Sequence, residues 1–510
     1  MRNRYLPFSD AAKIAEVGRS LVGGTGFGTR FIFFNSQPEL NTVGLFSARV
    51  IPPLMPIFTA ASFKLFGVSD FSVIGVSAFF YLVLIVSTYL LGKKIWGNLV
   101  GLIAALAVAS NVSLLHYATA GASETLFTAE IIIGLFLFTN KKIWSDIAGF
   151  GVLIAMYLTR PHAILYMATI LFYFIQLKTG NYKKTIKIYS LVILAGLIIV
   201  GLDFVIPGLT FGKLLIERVL VSVSSNSSFA PANDVLRINE NTLGPLIVAN
   251  IIPIFKKLLY NLYNFYKLLP NIFSPYLIAL FLIGLFRWGR DKTENTFKIT
   301  VMATFVIVSL VNAVTIPLYR YFHPLMPLVY LLAAAELTNI IRQIAIKEKK
   351  TLIISGILIF LFVVGQSLGY IFLDSRFTNK TVNKSQPPVY MELAKILRDN
   401  TKPSDIIVTN LDTWGSWYGN RRTIWYPLEP SQLNELDPRN VPVDAIYLTS
   451  YLMDDENYYM GSVWREIFTN PSNIQDPFIA KNYKLKAVFN IDASSDYERQ
   501  DARAVLLVRK

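Results

Sequence analysis

The sequence predicts an α-helical polytopic membrane protein of about ten spans with juxtamembrane helices and a C-terminal soluble α/β domain. Three observations predict it. The 510-residue chain is 53% hydrophobic and only 16% charged, whereas a soluble protein carries roughly 25% charged residues, and its mean hydropathy is +0.47. The apolar residues gather into runs between residues 70 and 373, each near the roughly 20 residues that carry a helix across a bilayer core. From about residue 374 the composition turns charged and rich in Asp and Asn.

The apolar runs fall at about 70–92, 98–116, 122–140, 145–159, 162–177, 186–206, 271–287, 298–317, 322–341 and 351–373. The fourth and fifth, parted only by Arg160 and Pro161, predict a tight helical hairpin. The segment 49–67 holds Pro52, Pro53, Pro56 and Lys64, which predicts a helix lying at the interface and not a span. Every second loop is basic: Lys93 and Lys94, Lys141 and Lys142, Lys178 to Lys187, Arg287 to Lys298, and Arg342 to Lys350. Positive charge sorts to the cytoplasm, so the other loops, and both ends of the chain, are expected outside in the plasma membrane. Three domains follow: a first extracytoplasmic loop at 1–69, a membrane domain at 70–373 with an outer loop at 207–270, and an extracytoplasmic α/β domain at 374–510.

The net charge of +15 lies in those loops, and no basic motif with interleaved aromatics points to nucleic acid. Cysteine is absent, which excludes disulfides and thiol chemistry. With three histidines, a His-rich zinc site is not expected.

The chain opens with a polar helix, SDAAKIAEVGRSLV. Ser9 is placed to cap it and Asp10 falls in its first turn. Ile14, Val17, Gly18, Leu21 and Val22 make an apolar face, with Asp10, Lys13, Glu16 and Arg19 opposite. An outward N-terminus without a preceding span is topologically awkward, so a first transmembrane helix upstream of residue 1 is expected. In the tail, VYMELAKILRDN (389–400) reads as a helix, and DIIVTN, DAIYLTS and RAVLLVRK read as strands. NLDTWGSWYGNRRTIWYP (410–427) suits stacking on sugars or an ordinary core equally.

The motif order SDxAxxAExGRxLxxGxGFG, RVxPPLxPxxxAxxFKLFG, YLLGKKIWG, LHYATAGASET, LTRP and IPLYRYFHPLMPLxxLLAAAE resembles the membrane-embedded GT-C glycosyltransferases. The resemblance is to the protein O-mannosyltransferase-like group (glycosyltransferase family 39) and the lipid A aminoarabinose transferases, over residues 9 to about 341. It implies transfer of a sugar from a polyprenyl-phosphate donor, with inversion, to a protein hydroxyl, a lipid or a surface glycan. It also implies a catalytic aspartate in an acidic motif after the first transmembrane helix. Asp10 matches that aspartate. Ala11 stands where the family commonly has Glu, and Ile14 where it often has an aromatic residue. Glu124 matches a second acidic position. No metal cofactor is expected, although Asp10, Glu16 and Glu124 offer oxygen ligands.

For such chemistry the acceptor hydroxyl needs a base, and the leaving phosphate needs cations. Asp10 is the candidate base and Glu124 the second catalytic carboxylate. Arg320 and Arg160, at outer span ends, are candidate phosphate clamps, because a guanidinium binds two oxygens at once. Lys13, Glu16, His162 and His323 are further candidates for substrate binding. Each has a plainer alternative: Asp10 and Glu124 as helix-dipole partners, the arginines as snorkelling side chains, Lys13 and Glu16 as a helix-surface pair. A flippase for lipid-linked sugars, or a non-catalytic envelope-assembly protein, are the competing readings of the whole chain.

Overall fold

The computed structural model describes residues 5–34, 38–48, 51–140, 142–205, 223, 251–272, 275–289, 291–315, 317–344, 350–373, 387–436, 441–454, 460–491 and 502–510. Most of the expected outer loop at 207–270 lies outside them.

Helix α1 runs Ser9–Val22 and ends at Gly23. Its N-cap is Phe8, without a side-chain bond, so Ser9 is the first helical residue and not the cap expected of it. Strands β1 (Gly28–Thr29) and β2 (Phe31–Phe33) follow, then β3 (Phe46–Ser47), which pairs with β1. Helix α2 (Leu54–Phe66) contains Pro56 within its first turn, where a missing N–H costs nothing. It leaves Ile57, Phe58, Leu65 and Phe66 exposed, as the expected interfacial helix would.

A helix stands at each of the ten apolar runs. α3 (Asp70–Trp96) starts at Ser69, whose side chain accepts from the Ser72 N–H. The second run breaks into α4 (Asn98–Ser110) and α5 (Val112–Ala118), bent by 64°. Asn111 makes the bend by capping α5 through the Leu114 N–H. α6 (Glu124–Thr139), α7 (Ile143–Thr159) and α8 (Ile164–Thr179) follow, with Pro161–Ala163 as a 3₁₀ turn between the last two. That is the expected hairpin. α9 (Tyr182–Val205) and the helices Pro275–Phe286, Lys292–Val314, Met326–Ile344 and Lys350–Leu373 complete the set. A further helix, Ile251–Ile272, lies inside the expected outer loop. Among the described residues three helices are each long and apolar enough to cross a membrane, or four if the bent pair counts as one. α3 and α4 meet backbone to backbone: a Cβ on Gly101 would sit 2.5 Å from the Tyr89 carbonyl oxygen. One buried cluster, from Tyr81 to Phe362, runs through the bundle.

The polar tail is an α/β unit. Strands β4 (Ile406–Thr409), β5 (Arg422–Trp425), β6 (Ala445–Thr449), β7 (Tyr483–Ile491) and β8 (Ala502–Arg509) form a sheet in the order β2-β5-β4-β6-β8-β7. The first four are parallel, and β8 and β7 are antiparallel. The end strand β2 comes from the N-terminal loop, so this sheet draws on two of the three expected domains.

The same junction clamps α1. Tyr390 donates its hydroxyl to the Leu6 carbonyl at 2.9 Å. Thr413 donates to the Ser9 carbonyl at 3.0 Å, and Arg19 to the Ser416 carbonyl at 3.1 Å. Asp70, at the head of α3, accepts from Trp417 Nε1 at 2.7 Å and from the Tyr418 hydroxyl at 2.8 Å. The bundle and the sheet are thus tied through charged and aromatic groups around the first helix.

Candidate active site

The expected site residues come from three places far apart in the chain. Asp10 and Lys13 sit on the first turns of α1. Arg160 caps the C-terminus of α7, and His162 lies in the turn that follows. Arg320 belongs to the 3₁₀ turn Tyr319–Leu325. All five border one cavity of about 320 Å³, together with Ser123, Thr159, Tyr321, strand β2, Ser47, and Ile51 to Met55 in the entry to α2.

Asp10 is the carboxylate of this cavity. It is 41% exposed to it, 3.3 Å from Lys13 Nζ and 3.0 Å from an Arg320 terminal nitrogen. Burial works against its charge, but Lys13, Arg320 and Arg160 outweigh that, and the carboxyl is held well below the usual carboxylate range. Arg320 keeps one buried donor, Nε, without a partner. Arg160 is 2.5 Å from Glu124 and donates Nε to the Ser123 hydroxyl at 3.0 Å. The His162 ring packs between Phe127 and Tyr321, with centroids 5.3 Å and 5.4 Å away. Glu124 neutralises Arg160 from behind, and Lys13 and Arg320 together outweigh Asp10, so the cavity keeps a net positive charge, which suits an anionic guest.

The other expected residues lie elsewhere. Glu124 is buried and does not border the cavity; it holds Arg160 from the side. Glu16 is fully buried, ion-paired with Arg19 and with Arg30 at 3.4 Å, and so ties α1 to the sheet unit instead of facing a substrate. The predicted polar face of α1 is therefore covered at Glu16, because Arg30 and Arg19, itself bonded to the tail's Ser416 carbonyl, close over it. His323 is 5.1 Å from the Tyr117 ring and also misses the cavity lining. Among the described residues no three His, Asp or Glu side chains gather as metal ligands. Strand β2, Thr159 and Tyr321 escaped the sequence reading. Tyr321 stood inside the quoted YRYFHP motif, but Phe31–Phe33 is an apolar triplet with no chemical mark.

Residues 50–202 match the dolichyl-phosphate-mannose-protein mannosyltransferase family. No curated protein matches the chain. Among solved structures, ArnT from Cupriavidus metallidurans in the apo state aligns with a TM-score of 0.51 at 13% identity, over 99% of this chain and 94% of its own. The fold is that of the GT-C glycosyltransferases. The Archaeoglobus fulgidus oligosaccharyltransferase, in complex with Zn and sulfate, aligns at 0.54 and 13% identity, over 96% of this chain and 68% of its own. The archaeal enzyme AglB from the same organism, in complex with an inhibitory peptide and a dolichol-phosphate, aligns at 0.52 and 13%. The GT-C frame is thus present along nearly the whole chain, and the mannosyltransferase-like match falls on its early membrane helices.

Proposed function

We propose that this protein is an integral-membrane inverting glycosyltransferase that moves a sugar from a polyprenyl-phosphate donor to an acceptor hydroxyl on the extracytoplasmic side of the plasma membrane. The observation that carries the reading is the cavity in which Asp10 faces Lys13, Arg160 and Arg320. The acceptor oxygen bonds to the anomeric carbon as the carbon–oxygen bond to phosphate breaks. Asp10 takes the hydroxyl proton, and the leaving phosphate keeps the electron pair under the two guanidinium groups. Asp10 is a weak base while Lys13, Arg320 and Arg160 hold it. A donor phosphate that draws Arg320 and Arg160 to itself weakens that hold and brings the carboxylate nearer to working strength. Glu124 acts by positioning Arg160, His162 lines the donor side, and Glu16 fixes the helix that carries the base.

The test is sugar transfer in proteoliposomes from radiolabelled polyprenyl-phosphate sugars, comparing wild type with Asp10→Asn. A general base contributes about 10²–10⁴-fold, whereas two partly exposed ion pairs contribute about 1 kcal/mol or less each to stability. Loss of transfer with unchanged melting supports the reading. Transfer within a few-fold of wild type refutes Asp10 as the base.

A further inference from the structure

Among the described residues the tail contributes none to the lining of the cavity that holds Asp10. It nevertheless grips the backbone that leads into that residue. Thr413 donates its hydroxyl to the carbonyl of Ser9, the residue before Asp10, at 3.0 Å. Tyr390 donates to the Leu6 carbonyl at 2.9 Å, and the Leu6 N–H donates to the Tyr418 hydroxyl at 3.1 Å. Ala11, Ala12 and Ala15 are fully buried in one apolar cluster with Val389, Leu393 and Trp414 of the tail.

That grip meets a need of α1. Asp10 is the second residue of the helix. It lies in the turn whose N–H groups have no partner within the helix, where helices fray. The N-cap residue Phe8 makes no side-chain bond that would hold the turn. A base works only within hydrogen-bond reach of the proton it takes, so a frayed first turn carries Asp10 out of place. The restraint comes from outside the helix, and Thr413 is built to give it. Thr413 is fully buried, its N–H donates to the Asp412 carboxylate at 2.7 Å, and its carbonyl accepts from the Ser416 hydroxyl at 2.8 Å. It follows the carboxyl end of β4, whose neighbours β5 and β6 run parallel to it. Open parallel sheets bind their ligands at that end. Here Ser9, at the head of α1, is bound there.

We propose that Thr413 and Tyr390 are positioning residues for the transfer reaction: by holding the Ser9 and Leu6 carbonyls they fix the first turn of α1 and so the place of Asp10. The inference rests on the reading of Asp10 as the base and gives the tail a part in the reaction that this reading leaves open. The tail acts on the rate without bordering the cavity.

The experiment measures kcat and donor KM in the full chain, with the radiolabelled polyprenyl-phosphate sugar of the transfer assay above. Thr413→Val keeps the shape and loses the hydroxyl, whereas Thr413→Ser keeps the hydroxyl. A misplacement of about 1 Å costs on the order of a hundredfold in rate. The valine variant should therefore lose at least about tenfold in kcat with donor KM within about twofold, and the serine variant should recover most of the loss. An unchanged kcat, a change in KM alone, or a loss that serine does not recover overturns the proposal. Hydrogen–deuterium exchange needs no substrate: amides at residues 10–13 should exchange about tenfold faster in Thr413→Val, with the bundle helices unchanged. Equal exchange overturns the proposal. In an Asp10→Asn background Thr413→Val should change the residual rate by less than about twofold, because a residue that acts through Asp10 has nothing further to lose. A full additional loss there overturns the proposal. Where the valine variant fails to fold, Tyr390→Phe takes its place with the same expected losses and the same refutations; its ring still stacks on Trp414, 4.3 Å between centroids. Wild-type transfer by Asp10→Asn overturns the base assignment and this proposal with it. Wild-type transfer by Thr413→Val beside an inactive Asp10→Asn overturns this proposal alone.

Discussion

Glu124→Gln is the most informative perturbation of the site. Glu124 and Arg160 are 2.5 Å apart with side chains only 3% and 11% exposed. The substitution keeps the shape and removes one charge, leaving the guanidinium buried with the Ser123 hydroxyl and the Asp10 field as its remaining support. Removing one partner of a buried pair costs about 3–5 kcal/mol, because the other charge is left uncompensated. The variant should therefore melt well below wild type when unfolding is followed by tryptophan fluorescence in detergent. Polyprenyl phosphate then supplies the decisive comparison. At a hundredfold excess over Kd a ligand stabilises by about 2.7 kcal/mol. If its phosphate meets Arg160, it replaces the missing carboxylate and should stabilise Glu124→Gln by more than it stabilises wild type. Equal stabilisation of both proteins would place the phosphate elsewhere and refute Arg160 as a clamp. A variant that melts with wild type would refute the claim that the pair is uncompensated when broken.

The state of Asp10 sets the pH response. A carboxyl held below its ordinary value of 3.8 stays charged at neutral pH; its stabilising contribution is present above that value and is lost as pH falls further. The kcat/KM for transfer, which reports the free enzyme, should show no acid limb from Asp10 between about pH 5 and 8. Arg320→Ala removes a lowering charge and should move the limb upward, and an unchanged profile in that variant would contradict the pairing. Gly101→Ala places a methyl 2.5 Å from the Tyr89 carbonyl and should cost about 1–3 kcal/mol through overpacking. A variant with wild-type melting would mean that α3 and α4 lie farther apart. Trp417→Phe keeps the stack on Phe63 but loses the 2.7 Å bond to Asp70, a bond to a charged group of about 1.5–3 kcal/mol. Limited proteolysis should then cut at the junction of tail and bundle faster than in wild type.

The positions of the membrane helices were legible because they depend on local hydropathy: each run of apolar residues is its own reason to be a helix. The strand runs at 405–410, 444–450 and 503–510 were legible for the same reason, and so was the hairpin at Arg160 and Pro161, where proline interrupts the helix. The break of the second run at Asn111 was not, because one polar residue in an apolar stretch is silent until its side chain caps the next helix. Residue type and placement at span ends also singled out Arg160, His162 and Arg320, whereas Asp10 came from the family resemblance and Lys13 from its place one turn further along the same helix.

Their convergence belongs to the tertiary structure. Asp10 and Arg320 lie 310 residues apart in sequence and 3.0 Å apart in space, and no local property of either stretch encodes that distance. Glu16 shows the limit most plainly. Three residues from Lys13 on the same helix, it reads as part of the same polar face, and only the fold, which brings Arg30 across and ties Arg19 to the Ser416 carbonyl of the tail, turns it into a buried tie. Strand β2 is the converse case. Phe31, Ile32 and Phe33 carry no polar group in their side chains, yet the fold sets all three in the lining of the cavity that holds Asp10. By itself the sequence determined which segments are apolar enough to become helices and which side chains could carry the chemistry. Which of those side chains share a cavity, and which lie buried outside it, was decided by long-range packing, where contacts depend on chain far removed in sequence.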